Sequence, residues 1–354
     1  MINAHYVIEN GFIRHGIIWP AHILGHLFTP KWFGNLVKSD PYKNLLGQMD
    51  VLEKGIKRTN RLLIGKKNTR LRLITSPEEI DTVSDGEIGI IHAIEGAHAL
   101  GYKPEEGQTL QEFWQVVQER LDHLKQRGVC MITLAHFWDN PFVPQTDGTE
   151  LIPKKVNGEI VAVRDDQVNH MKRARWRWGD KNHLAEELTR KLLEMGILLD
   201  LSHVQEHARS KVLDLCEEYG RPVVASHVGL QHFFNHEYNM SDEEIRRIHK
   251  IGGIMGVIFS NRQLLDPLKQ YKNSGPGIEN IVNSILYIKQ LVGDVSCVGL
   301  GTDFDGLTHP PTDCHKYPQL PRLIKALGKH LSDDEIDQIF QRNALRVIRN
   351  GWKK

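Results

Sequence analysis

An α/β chain forming one (β/α)8 barrel of the TIM type, with long insertions after strands 1 and 4, is the fold predicted for residues 1–354. Eight short apolar runs recur along the chain, and segments of helical period separate most of them. No glycine-rich phosphate loop follows the first run, which removes the usual reason to prefer an open nucleotide-binding sheet. Closing eight parallel strands on themselves leaves no exposed edge, so the barrel is the economical solution.

Taken in order, Ile2–Glu9 is β-branched and ends in Asn10-Gly11, and is read as the first strand. Mixed helix and loop follow, including the helical stretch Leu45–Leu63. Leu71–Thr75 is the second strand, closed by Ser76-Pro77-Glu78-Glu79, a helix-start signal. Glu87–Ile94 is the third, running into Glu95-Gly96. Leu110, Phe113, Val117, Leu121 and Leu124 then mark a helix over Thr109–Arg127. Val129–Leu134 is the fourth strand and ends at Ala135-His136.

Residues Phe137–His183 are the least regular stretch, with turn signals at Asn140-Pro141, Asp147-Gly148 and Asn157-Gly158. Their run RARWRW, Arg173–Trp178, has the residue types that stack on bases and contact phosphates. In a chain of net charge +1, a solvated or lid helix is the expectation instead. Helix Leu184–Met195, strand Ile197–Leu201, helix Glu206–Tyr219 and strand Pro222–Ala225 come next. A helix starting at Ser241, strand Gly253–Phe259, helix Ile278–Val292, strand Cys297–Gly301 and a helix over Ser332–Asn350 complete the alternation.

The composition, 40% hydrophobic and 25% charged, is that of a globular protein with a sizeable core. Near-neutral charge gives no field to attract nucleic acid or an acidic membrane. Four scattered cysteines without a CxxC pair are expected as buried thiols. The start of the chain lacks a basic region followed by an apolar one, and no run would span a bilayer, so a cytoplasmic protein without a membrane anchor is expected.

On a barrel the carboxyl ends of strands carry the chemistry. Here they present Glu95 after the third strand, His136 after the fourth, His203 after the fifth, His227 after the sixth and Asp303 after the eighth. His5 projects from the first. Imidazole and carboxylate suit Zn²⁺ or a similar divalent ion, with water in an open position as the nucleophile. Asp303 could take that water's proton and later give it to the leaving group. Ser202-His203 and Ser226-His227 raise the alternative of a serine nucleophile, but neither lies in a GxSxG-like elbow, so metal-dependent hydrolysis is preferred.

At these residues the chain resembles the membrane dipeptidase (peptidase M19) family of the amidohydrolase superfamily. The matching motifs are AIEGAHAL (Ala93–Leu100), ITLAHFWDN (Ile132–Asn140), GILLDLSHV (Gly196–Val204), PVVASH (Pro222–His227) and VGLGTDFDG (Val298–Gly306). KYPQL (Lys316–Leu320) and NALRV (Asn343–Val347) extend the match to the tail. The resemblance implies a zinc-dependent hydrolase of dipeptides on a (β/α)8 barrel, and a homodimer. Glu95 would bridge two zinc ions, His203 and His227 would bind one of them, His136 would contact substrate, and Asp303 would face the metal as acid/base.

Two departures qualify the expectation. The family's first strand carries a His-x-Asp pair of ligands, whereas here His5 is followed by Tyr6 and Val7, and valine cannot coordinate. His5 is therefore either a ligand or a core histidine, and one ion or two remain open. An Arg that pairs with the substrate carboxylate is replaced by Tyr238, which loses a charge-assisted contact unless another base such as Arg262 supplies it. A dipeptide-like small molecule is the expected partner. The alternative is an altered member, either a lactone or cyclic-amide hydrolase or a non-catalytic metal-binding barrel.

Overall fold

A computed structural model describes residues 40–62, 70–136, 140–146, 151–164, 173–266, 277–304 and 310–353. The expected first strand, with His5 and Val7, lies outside these residues, as do Asp305 and Gly306.

The described core is a curled parallel sheet of seven strands: β1 (Arg70–Ile74), β2 (Glu87–Glu95), β3 (Val129–Thr133), β6 (Leu198–Asp200), β7 (Val224–Val228), β8 (Ile254–Ile258) and β9 (Val298–Gly301). They are hydrogen-bonded in that order, so spatial order follows chain order. These are the second to eighth strands of the sequence reading, with no end moved by more than three residues. Their apolar continuity follows from cover on both faces, and every residue of β8 is buried.

Crossover helices return the chain from strand to strand: α1 (Pro41–Leu62) before β1, α2 (Leu110–Gln126), α3 (Ala185–Met195), α4 (Glu206–Glu218), α5 (Asp242–Lys250) and, after the single turn α6 (Asn261–Leu264), α7 (Gly277–Val292). Capping boxes at Thr109 and Ser241 start α2 and α5, each hydroxyl accepting from the N3 amide while the N3 glutamate reaches back. Gly196 ends α3 in the left-handed conformation.

Four expectations need correction. Between β3 and α3 the chain forms an antiparallel hairpin, β4 (Leu151–Val156) and β5 (Glu159–Arg164). Asn157 and Gly158 both have positive φ (50° and 88°), the twist that a two-residue hairpin turn needs. Arg173–Trp178 is not a helix: it runs through bends with Arg173, Arg175 and Arg177 exposed and Ala174 and Trp176 buried. Ser76-Pro77 starts a 3₁₀ turn, Pro77–Thr82, and not an α-helix. The last helix is broken by a π turn at Gln338–Arg342, between α9 (Asp333–Asp337) and α10 (Asn343–Gly351). A further helix, α8 (Leu320–Leu327), precedes it.

One irregularity positions the site. Ala225 pairs with Met255 and Val228 with Val257, so Ser226 and His227 together oppose Gly256 in a β-bulge. The bulge brings backbone inward, where only glycine leaves room. A Cβ on Gly256 would collide with the Ser226 carbonyl and lie 2.9 Å from Cα of Gly301. A Cβ on Gly301 would lie 2.6 Å from the Gly256 carbonyl and 2.7 Å from Cα of His227. Both obstacles are backbone and cannot swing aside. Gly256→Ala is therefore expected to cost ~3 kcal/mol or more, at or beyond the upper end of typical overpacking. A denaturant melt of the purified variant, or its failure to appear in the soluble fraction, checks this.

Candidate metal centre

The strand ends bring four predicted residues to one point. Glu95 closes β2, His136 and His203 each lie three residues beyond β3 and β6, and His227 sits in the β7 bulge. Glu95 Oε1 is 3.6 Å from His136 Nε2, 3.6 Å from His203 Nε2 and 3.4 Å from His227 Nε2. The Nε2 atoms of His203 and His227 are 2.9 Å apart. The His136 and His203 rings meet edge to face at 4.6 Å, and His98 stacks behind His136 at 6.1 Å.

These distances suit a divalent ion. Two donors each about 2.1 Å from a tetrahedral centre stand ~3.4 Å apart. Glu95, His136 and His203 offer donor atoms that all lie within 4.8 Å of one another, and His227 joins them through its contacts with Glu95 and His203. His136, expected at the substrate, is thus as near the carboxylate as His203 and is eligible as a ligand.

The protonation states agree with that use. Burial opposes charge on Glu95, but the surrounding imidazoles outweigh it and hold the carboxyl well below its usual range. Burial depresses His136 and His203, although Glu95 pulls the other way on both. Glu95 as a carboxylate and His136 and His203 as neutral imidazoles match what metal ligands require, and one of the facing Nε2 atoms of His203 and His227 must give up the hydrogen of their contact on metal entry.

Asp303, two residues past β9, is partly buried at the edge of this cluster. Burial pushes its carboxyl up to about 6, with His227 opposing and the Glu95 charge adding to the rise. Phe304 beside it packs at right angles against Phe259 and Tyr317. Asp303 and His203 both adopt positive φ, 42° and 65°. Among the described residues the only other non-glycine with positive φ is the hairpin's Asn157. Such conformations are rare outside glycine and gather at functional sites.

Tyr238 forms a wall of the cluster. It is buried, its ring meets His203 edge-on at 5.0 Å, and its hydroxyl donates to the His227 carbonyl at 3.1 Å. It brings no positive charge. Arg209, fully buried on α4, holds the loop that carries Tyr238: it donates to the carbonyls of Glu237 (2.7 Å) and Asn239 (3.1 Å) on either side. The same guanidinium reaches the Val204 carbonyl (2.8 Å) and forks onto Glu244 (2.5 and 3.2 Å). Arg262 lies at the carboxyl end of β8, on α6, where Gln263 accepts from the Asn239 side chain at 2.9 Å.

Sequence reasoning passed over Asp200, Thr133 and Arg209. A lone Asp within the apolar run ILLDL was the available signal for the first. Its carboxylate is wholly buried and accepts from Thr133 Oγ1 (2.7 Å), Ser226 Oγ (2.5 Å) and the amides of Ser202 (3.0 Å) and Ser226 (2.8 Å).

Two outcomes follow. Arg209→Ala should destabilise the protein by ~3–5 kcal/mol in urea titration, because it leaves Glu244 buried and unpaired. In the folded state Asp303 keeps its proton up to pH about 6, against 3.8 for the ordinary group. Between those values the folded state binds more protons, so stability falls as pH rises and the penalty is complete above the window. In chelator-treated protein, Asp303→Asn should show a melting-temperature advantage over wild type that grows from pH 5 to pH 7 and is flat beyond. Asparagine tolerates the left-handed backbone, which isolates the charge.

Comparison with known proteins gives the chain a family and a fold. The chain is 25% identical over 318 residues to an uncharacterised dipeptidase of Schizosaccharomyces pombe, covering 88% of this chain and 62% of that one. It spans between 36% and 62% of the length of the curated relatives it matches. Among solved structures, the probable dipeptidase PvdM of Pseudomonas aeruginosa shares the fold with TM-score 0.64 at 18% identity, over 87% of this chain and 80% of that one. A metallo peptidase of Rhodobacter sphaeroides, solved with a phosphinate mimic of the dipeptide L-Ala-D-Ala, shares it with TM-score 0.58 at 19% identity, over 80% and 69%. The model of the membrane dipeptidase family matches residues 163–352, more than half of the sequence, and on that match the chain belongs to the membrane dipeptidase family, peptidase family M19.

Proposed function

We propose that the protein is a zinc-dependent hydrolase that cleaves the amide bond of a dipeptide or similar small substrate. The observation that carries this reading is the convergence of Glu95, His136, His203 and His227 within 3.6 Å of one carboxylate oxygen in a chain of this family. Zinc, when bound, supplies Lewis acidity and makes water a nucleophile near neutral pH. Glu95, His203 and His227 would hold it, with His136 either completing the set or contacting the substrate. Asp303, whose carboxyl lies near 6, accepts a proton from the attacking water and returns it to the leaving amine. Tyr238 walls the space beside His203 and His227. Residues Ile2–Glu9 would supply the eighth strand, between β1 and β9, closing one barrel domain over the whole chain. His5 would then reach the cluster. A homodimer and a cytoplasmic location belong to the same reading.

Tyr238 favours a second reading, of an altered substrate. Its hydroxyl is engaged with a backbone carbonyl and offers no cation to a substrate carboxylate. A cyclic amide or lactone, which lacks that carboxylate, would suit it.

Turnover of a panel of dipeptides, including ones with a D-residue at the C-terminal position, should be lost on chelation and restored by zinc. Asp303→Asn should lower kcat by roughly 10²–10⁴-fold. Unmeasurable turnover on the panel despite bound metal would sink the dipeptidase reading. Hydrolysis of cyclic amides or lactones alone would select the second.

A further inference from the structure

Two serines raised by the sequence as candidate nucleophiles, Ser202 and Ser226, find a different use in the structure. Ser226 Oγ lies 2.5 Å from Asp200 Oδ2, 2.8 Å from His227 Nδ1 and 3.2 Å from Ser202 Oγ. It has one hydrogen and three neighbours, so the directions can be assigned. Asp200 is acceptor-only, and its oxygens take four hydrogen bonds, which fills the capacity of an ionised carboxylate. Its contact with Ser226 Oγ is the shortest of the three, and the Ser226 hydrogen therefore points at Asp200. Ser226 Oγ must then accept from His227 Nδ1. Ser202 Oγ accepts the His227 amide at 3.1 Å and gives its own hydrogen to Ser226 Oγ.

We propose that Asp200 and Ser226 form a relay that fixes His227 as the Nδ1-protonated tautomer, so that its Nε2 lone pair faces Glu95 and His203. Both are positioning residues, acting through His227. The relay rests on the metal-site reading for its purpose, because a bare Nε2 is what a metal ligand requires and an outer carboxylate commonly sets it. Here the carboxylate acts through an interposed hydroxyl. The bulge makes this possible, because it places Ser226 and His227 side by side opposite Gly256.

The test uses full-length chelator-treated protein labelled with ¹⁵N-histidine. Long-range ¹H–¹⁵N correlation, with the His227 signals assigned by their loss in His227→Gln, should show the proton on Nδ1. A proton on Nε2 in wild type overturns the proposal. Zinc affinity, read by competition with a chromophoric chelator, should fall ~10–100-fold in Ser226→Ala. Ser226→Thr, which keeps the hydroxyl, should restore it. A Ser226→Ala protein with lowered melting temperature but unchanged zinc affinity and His227 tautomer would make the serine merely structural and overturn the relay. Should Ser226→Ala fail to fold, the wild-type tautomer decides alone. Absence of dipeptide turnover, with Nδ1 protonated and zinc affinity sensitive to Ser226, would count against the proposed substrate and leave the relay standing.

Discussion

The carboxylate of Asp200 is the constraint on which the centre of this molecule depends. A carboxylate removed from water is tolerated only when its lone pairs are filled, and here four hydrogen bonds from hydroxyls and amides fill them. Those donors come from three neighbouring strand ends: Thr133 on β3, the turn at Ser202 after β6, and Ser226 on β7. Each strand end bears a histidine or leads into one. Asp200 therefore ties His136, His203 and His227 to a common reference, and hydrogen bonds to a charged group, at ~1.5–3 kcal/mol each, make it a stiff one.

Arg209 does the complementary work on the loops. Its guanidinium spans the carbonyl after His203 and the two carbonyls flanking Tyr238, and Glu244 neutralises it. Glu244 is at the same time the N3 residue of the α5 capping box. One ion pair thus fixes a helix start, the His203 turn and the Tyr238 wall together. The buried pair is a poor source of net stability but a strong source of geometric specificity in this setting, because its guanidinium ties together backbone carbonyls from two separate loops.

Much of this was legible in the residues. Seven strands could be read because a parallel sheet covered on both faces requires short unbroken apolar runs, and polar residues just beyond such runs mark the functional face. The convergence of Glu95, His136, His203 and His227 follows from that one rule. The hairpin escaped notice because Pro153 and the lysines at 154 and 155 blur the alternation of β4, although Asn157-Gly158 announced its turn. The π turn in the last helix has no local signature. Asp200 and Arg209 look, in one dimension, like a strand acid and a helix base; their importance lies in partners 26 and 67 residues away for the carboxylate's long-range bonds, and in backbone carbonyls that carry no side-chain code.

The left-handed backbone at His203 and Asp303 bears on any attempt to re-equip this centre. At His227, inside a strand, an exchange of ligand is a question of donor atom and length. At His203 and Asp303 the backbone filters the exchange before chemistry does: Asn and Asp are admitted at modest cost, while β-branched residues are turned away whatever they carry. On the proposed metal-site reading, metal preference on this scaffold is consequently tunable in an uneven way. Softer or bulkier donors can be tried on one side of the cluster, and on the other the chain accepts little beyond Asn, Asp and His.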